Sequence, residues 1–223
     1  MGEENLEPEF AKSLSHFKYR GSSGKVNLAL DRAPSFSARP GVGPHLFGDI
    51  AIAPSVEYLS RAYDEAKYGQ YSSKPYLNIV VPSMVDPTVA PPGKHIMSIF
   101  VQYAPYHLEG GPHTWPDHRD AFGETVIDTV AQYVPGLRES IIFKQVLTPW
   151  DMEKEFGLTE GNIFHGELNL EQLFFLRPTA KFARYRTPIP KLWMCSSGTH
   201  PGGGIMGAPG ANAARDILKS GEI

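Results

Sequence analysis

The sequence predicts an α+β fold, a mixed and mainly antiparallel sheet with helices packed on it. Strand-like and helix-like segments are intermixed without a regular βαβ rhythm. Two strand candidates, 76–83 and 95–105, flank the turn-rich connector MVDPTVAPPGK and read as an antiparallel hairpin. Hydrophobic residues make up 41% and aromatic residues 11% of the 223, enough for a proper core, so a disordered chain is excluded.

Residues 1–20 are polar and read as a flexible or briefly helical lead-in. In GKVNLALDR (24–32), Val26, Leu28 and Leu30 alternate with Lys25, Asn27 and Ala29, the pattern of a half-buried strand. A Pro/Gly-rich loop follows. Residues 54–69 place Val56, Leu59, Tyr63 and Ala66 at helical spacing, with Pro54 in the first turn and Gly69 at the end. A second amphipathic helix is predicted over 115–134 on Phe122, Val126, Ile127, Val130 and Val134. A strand over 140–149 and a short helical turn follow. GNIFHG is predicted to be extended, and Asn169 with Gln172 forms a variant of the capping box. The chain ends as a short apolar strand (191–197), a glycine-dense loop and a last helix.

The formal net charge of −3 offers no global attraction for nucleic acid. The local exception, Arg177, Lys181, Arg184, Arg186 and Lys191 with no acid between them, reads as a solvated connecting loop or as a basic lip near a phosphate or acidic partner. A single cysteine, Cys195, rules out a disulfide framework, a CxxC pair and a cysteine-based zinc site; it reads as a small buried apolar residue. The start carries no secretory signal and no apolar run reaches membrane-spanning length, so a soluble, intracellular chain is expected. His107, His113 and His118 share one segment at spacings that match no common metal motif, and no metal is expected.

The chemistry-bearing stretch is CSSGTHPGGGIMGAPGANAARDIL. Gly202 to Gly207 formally match G-x-G-x-x-G between a strand and a helix, but sixteen residues remain, too few for the second strand and acidic residue of a dinucleotide fingerprint. A glycine loop running into a helix N-terminus still lets backbone N–H groups approach a phosphate, a pyrophosphate or an electron-rich carbonyl. An elaborate tight turn packed on a neighbouring helix is the alternative. No P-loop motif and no G-x-S-x-G occur, and in HPGGG a proline interrupts the HGGG oxyanion pattern.

The stretches GNIFHGELNLEQLFFLRP and YRTPIPKLWMCSSGTHPGGGIMGAPGANAARDIL resemble the phytoene desaturase-like FAD-dependent oxidoreductases, as do VNLALDRAPSF and VPSMVDPTVAPPGKHIMSIFVQYAPY, so the resemblance covers nearly the whole chain. It implies a substrate-binding domain at 21–190 and, at 191–223, the C-terminal strand–loop–helix that completes an FAD site, with the N-terminal Rossmann part absent. It implies that Gly198, His200, Gly203, Gly204, Ile205, Met206 and Gly207 contact FAD, the last four at the helix start. His165 and Glu167, read as sharing one strand face in the substrate cavity, form either a proton-handling pair or a buried histidine satisfied by a backbone carbonyl. Arg177 anchors loop carbonyls, approaches the cofactor or simply serves the helix dipole. The implied partners are a small apolar (polyene-like) or amine substrate and a dinucleotide-binding domain. Without that domain, weak or no FAD binding, no turnover and self-association into a homo-oligomer are expected. The implied compartment is the cytoplasm in a bacterium or the mitochondrial matrix in a eukaryote. The alternative function is a non-catalytic interaction or dimerisation module that keeps the flavoprotein fold.

Overall fold

A computed structural model describes residues 6–221. The helices are α1 (Pro8–Ser15), α2 (Val56–Lys67), α3 (Trp115–Ala131), the single turn α4 (Leu137–Ser140), α5 (Pro149–Phe156) and α6 (Ala208–Ser220). The strands are β1 (Ser23–Leu30), β2 (Ile50–Ile52), β3 (Tyr76–Val80), β4 (His95–Gln102) and β5 (Ile141–Leu147). Residues 22–161 form one compact unit; the described residues of 1–21 and 162–223 form another.

The first unit is an antiparallel sheet in the order β2-β3-β4-β1-β5. The expected hairpin is present, with Tyr76 opposite Gln102 and Val80 opposite Ser98. The alternation in β1 works as the sequence implies: Val26, Leu28 and Leu30 are buried, and Leu77, Ile79, Met97, Ile99 and Val101 of its neighbours join them. Onto that face α3 lays Phe122, Val126, Ile127 and Val130, all buried. Contact is close enough that a Cβ on Gly24 would stand 2.7 Å from the Phe122 ring, and one on Gly123 2.6 Å from Val146. Trp115 closes the end of the core, and its indole N–H donates to the Pro105 carbonyl at 3.1 Å. The strand β2 is the one the sequence does not announce: three residues are too few to display a period.

The helix α2 forms, but not as its apolar spacing implies. Its cap is Ser55, whose Oγ accepts from the Tyr58 N–H at 3.1 Å, so Pro54 lies outside the helix. Val56, Leu59 and Tyr63 are exposed, Val56 by 80%, and the buried contact is Ala62. The reason is a polar clasp on the other side: the buried Ser72 hydroxyl donates to the Ala62 carbonyl at 2.5 Å and accepts the Tyr103 N–H at 3.0 Å. The helix α5 opens on a full capping box between Thr148 and Asp151, both buried.

The second unit corrects several expectations. The compact sheet unit spans 22–161, and 162–177 are tied to residues 18–20 by side chains described below. Where the sequence implies a strand over 191–197 there is a single bridge between Arg186 and Trp193; Pro188 and Pro190 remove donors, and Lys191 takes φ +64°. Cys195 is accordingly exposed. The stretch GNIFHG is a series of turns, not an extended strand. Residues 170–172 make one 3-10 turn at Asn169 with no side-chain cap, since the Gln172 amide is engaged elsewhere. Residues 6–21 are also not loosely held: Phe10 is buried against Phe182 with ring centroids 4.6 Å apart.

Candidate functional site

The second unit is organised around a guanidinium. Arg177 is fully buried, and all five of its N–H groups donate to backbone carbonyls. Nε reaches Ser197 O at 2.5 Å, Nη1 reaches Glu167 O at 2.9 Å and Gln172 O at 3.0 Å, and Nη2 reaches Gly166 O at 3.0 Å as well as Phe164 O. Burial pulls its pKa below the ordinary guanidinium value. Of the three readings of this residue, the anchor of loop carbonyls is the one observed.

The segment it grips is folded by two amides. Asn162 Oδ1 accepts the N–H of Phe164 at 2.8 Å and of Gly166 at 3.2 Å, while its Nδ2 donates to Tyr19 O. Gln172 Oε1 accepts the Lys18 N–H at 2.7 Å, and its Nε2 donates to Lys18 O at 2.9 Å. His165 is therefore held at φ +56° on a turn and is exposed. It shares no strand face with Glu167, whose carboxylate is gripped by Arg20 Nε and Nη2. Neither the proton-handling pair nor the buried histidine is the observed arrangement. The rest of the basic stretch is partly neutralised: Lys181 pairs with Glu7 at 3.1 Å and Arg186 with Asp216 at 3.0 Å.

The glycine loop sits on this platform. Thr199 is buried, with its N–H and hydroxyl both donating to Ser196 O at 3.0 and 2.9 Å, and Gly202 N–H donates to Thr199 O at 2.7 Å. A Cβ on Gly198 would lie 3.6 Å from His165 Cβ, and one on Gly203 would collide with the Phe164 ring. Beyond Gly203 the chain leaves the surface. Ile205 is 111% exposed, Met206 is exposed, and Gly207 caps α6 at φ +62°, where a Cβ would meet nothing within 4 Å. Gly204 to Met206 thus precede the helix, and only Gly207 stands at its start. Among the described residues, the N–H groups of Gly203, Gly204, Ile205, Met206 and Gly207 donate to no protein acceptor. His200 Nδ1 is buried, also without a partner among them. The helix behind presents its positive end. Such an array can hold an electron-rich group through backbone alone.

In the sheet unit, the face opposite the core is open. Its rungs read Lys25–Phe100–Asn78 with Leu147, then Asn27–Ser98–Val80 with Gln145, then Ala29–Ile96 with Phe143. Ser98 Oγ donates to Asn27 Oδ1 at 2.9 Å and Asn27 Nδ2 to Gln145 Oε1 at 3.0 Å, a polar row between apolar ones. The alternation of β1 already assigns Lys25, Asn27 and Ala29 to this face; what the sequence does not show is that Gln145 and Ser98 share their rung. Of the three histidines in one segment, His107 lies 3.3 Å from Glu160, and His118 lines a pocket of about 600 Å³ with Tyr71 and Leu108. Among the described residues no three His, Cys, Asp or Glu side chains converge on a metal position, and no helix is long and apolar enough to cross a membrane.

No family model matches the chain. It is 40% identical over 97% of its length to pyridine nucleotide-disulfide oxidoreductase domain-containing protein 2 of Mus musculus, and equally to that of Rattus norvegicus, spanning 38% of each. It is 31% identical, over 56% of its length, to a phytoene desaturase (lycopene-forming) of Pseudescherichia vulneris, of which that covers 25%. A crystal structure of an oxidoreductase from Methanosarcina mazei superposes on 97% of the chain with a TM-score of 0.54 at 17% identity, covering 39% of that protein; this likeness is one of fold. In sequence the chain is similar to these oxidoreductases, the phytoene desaturase among them, and it shares the fold of the Methanosarcina mazei structure.

Proposed function

We propose that the chain is part of an FAD-dependent oxidoreductase in which the glycine loop contacts the flavin and the open face of the sheet holds the substrate. The observation that carries this reading is the run of five unpartnered N–H groups from Gly203 to Gly207, leading into α6 and stiffened from behind by Arg177. Buried or ligand-facing amides want acceptors, and a cradle without side chains suits a flat cofactor whose edge is rich in them. FAD, when bound, supplies the hydride-accepting ring system. Gly198, Gly203, Gly204 and Gly207 let backbone approach it. Ile205 and Met206 cover apolar ring surface and exclude water, and His200 offers its unpartnered Nδ1. Arg177 serves the loop by holding Ser197 O at its entrance, and Glu167 ties Arg20 to the segment that Arg177 grips. His165, bordering Gly198 and with its ring outside any hydrogen bond among the described residues, is the side chain assigned to proton handling.

For the substrate the resemblance leaves an apolar (polyene-like) and an amine-bearing class open, and it implies a dinucleotide-binding domain for the rest of FAD. A second reading, a non-catalytic interaction module, draws on the exposed Leu170, Phe174 and Phe175. Flavin fluorescence titration separates the two, run on this chain and on the protein with its dinucleotide-binding domain. The first reading expects tight binding by the latter and weak binding by this chain. If neither binds FAD, the glycine stretch is a structural turn and the second reading stands.

A further inference from the structure

We infer that the open face of the sheet selects an amphiphilic carboxylate, an extended apolar chain ending in an acid, over both amines and plain hydrocarbons. The inference rests on the reading above that this face holds the substrate, and it names the class. Lys25 lies near the start of β1, half-buried, between β4 and the edge strand β5, directly opposite Phe100 on one side and Leu147 on the other. Its ammonium has no ion pair or hydrogen bond among the described residues. An unpaired cation on an open face, flanked by apolar side chains, offers an incoming anion a counter-charge that no group of the described residues takes up. Elsewhere on the sheet, Asp49, before β2, accepts from Asn78 Nδ2 at 2.9 Å, and Asp31, past the far end of β1, pairs with Arg32 at 3.1 Å.

The next rung supplies the donors a carboxylate needs. Gln145 Oε1 is used by Asn27, which leaves both Nε2 hydrogens of Gln145 free, and Asn27 keeps one of its own. Rungs on one face stand about 7 Å apart, so a carboxylate between Lys25 and the amide row meets both. Beyond it lie Ala29, Ile96 and Phe143, a floor for an apolar tail. An amine in the same place would face Lys25, and among the described residues these rungs carry no carboxylate to receive it, so the field disfavours it.

The test uses cis-parinaric acid, a fluorescent polyene carboxylate, and its methyl ester, titrated below micelle-forming concentrations into the wild-type chain and into Lys25→Met and Lys25→Arg. The acid is expected to bind wild type and Lys25→Arg alike, and Lys25→Met at least about tenfold more weakly. The ester is expected to bind all three equally. Lys25→Gln and a thermal melt of each variant separate lost charge from lost fold. Unchanged affinity of Lys25→Met for the acid, equal affinity of wild type for acid and ester, or no binding of the acid would each overturn the proposal. FAD titration of the protein carrying its dinucleotide-binding domain, wild type and with each Lys25 substitution, keeps the two readings apart. Charge preference lost with flavin binding intact defeats only this proposal, and the converse defeats only the flavin reading.

Discussion

The Nε–H of Arg177 donates to the carbonyl oxygen of Ser197 at 2.5 Å, joining the end of the Phe174–Leu176 turn to the entrance of the glycine loop. The guanidinium's other four N–H groups hold Phe164, Gly166, Glu167 and Gln172. No neutral side chain can replace a planar fork of five donors, and lysine offers three in the wrong geometry. Arg177→Met is therefore expected to strand five carbonyls, all buried or half-buried, and cost about 3 kcal/mol or more, with Arg177→Lys recovering only part. Denaturant unfolding of the two variants checks this; a midpoint equal to wild type for Arg177→Met would remove the hub from the account.

Within the glycine loop, position matters more than residue type. A Cβ at Gly203 meets the Phe164 ring, whereas at Gly207 it meets open space and only the φ of +62° resists it. Gly203→Ala should cost about 2 kcal/mol or more through the clash, and Gly207→Ala about 1 kcal/mol through backbone strain. Melting temperatures in the reverse order would contradict the packing described.

A pH effect is expected at the other unit. The buried Tyr106 hydroxyl donates to Glu153 Oε2, and Glu153 Oε1 accepts the Glu160 N–H at 2.8 Å. Burial works to raise the Glu153 pKa, but these two hydrogen bonds outweigh it and hold the carboxyl below its ordinary 4.5. A depressed carboxyl pKa contributes stability that is present above 4.5 and lost as pH falls through the lower folded value. Tyr106→Phe should cost about 1 kcal/mol at neutral pH and flatten the acid limb of the stability profile. Parallel acid limbs for the two proteins would show that Glu153 draws nothing from the hydroxyl.

The helix α2 inverts the usual expectation for an amphipathic segment. Val56→Glu, at an 80% exposed position, should change stability by no more than about 0.5 kcal/mol. Ala62→Leu, at the buried contact beside Ser72, should cost about 1–3 kcal/mol by overpacking. Urea unfolding of both variants decides which face is packed.

These cases mark how far the sequence could be read. The alternation of Val26, Leu28 and Leu30, the hairpin of β3 with β4, and α3 with its Phe122–Val130 stripe were all legible, because one period over many residues overrides local detail. The same rule failed at α2, where a single buried hydroxyl, Ser72, chooses the face. It failed again over 162–197, which contains no strand or α-helix. There, side-chain to backbone bonds from Asn162, Gln172 and Arg177 replace a repeating ladder, and such bonds have no spacing to betray them. The glycine loop was legible as a place of close backbone approach. The buried arginine beneath it was seen as a residue, but its five acceptors lie up to twenty positions away along the chain.

The measurement closest to the central claim is FAD affinity, by flavin fluorescence, of the protein carrying its dinucleotide-binding domain, wild type against Gly207→Asn. Asparagine tolerates the left-handed backbone at Gly207 and puts its side chain into the open space there, so the fold should be kept. A loss of about tenfold or more in FAD affinity with an unchanged melting temperature in the absence of FAD is the predicted result. Equal affinity of the two proteins would contradict a flavin-contacting role for the loop.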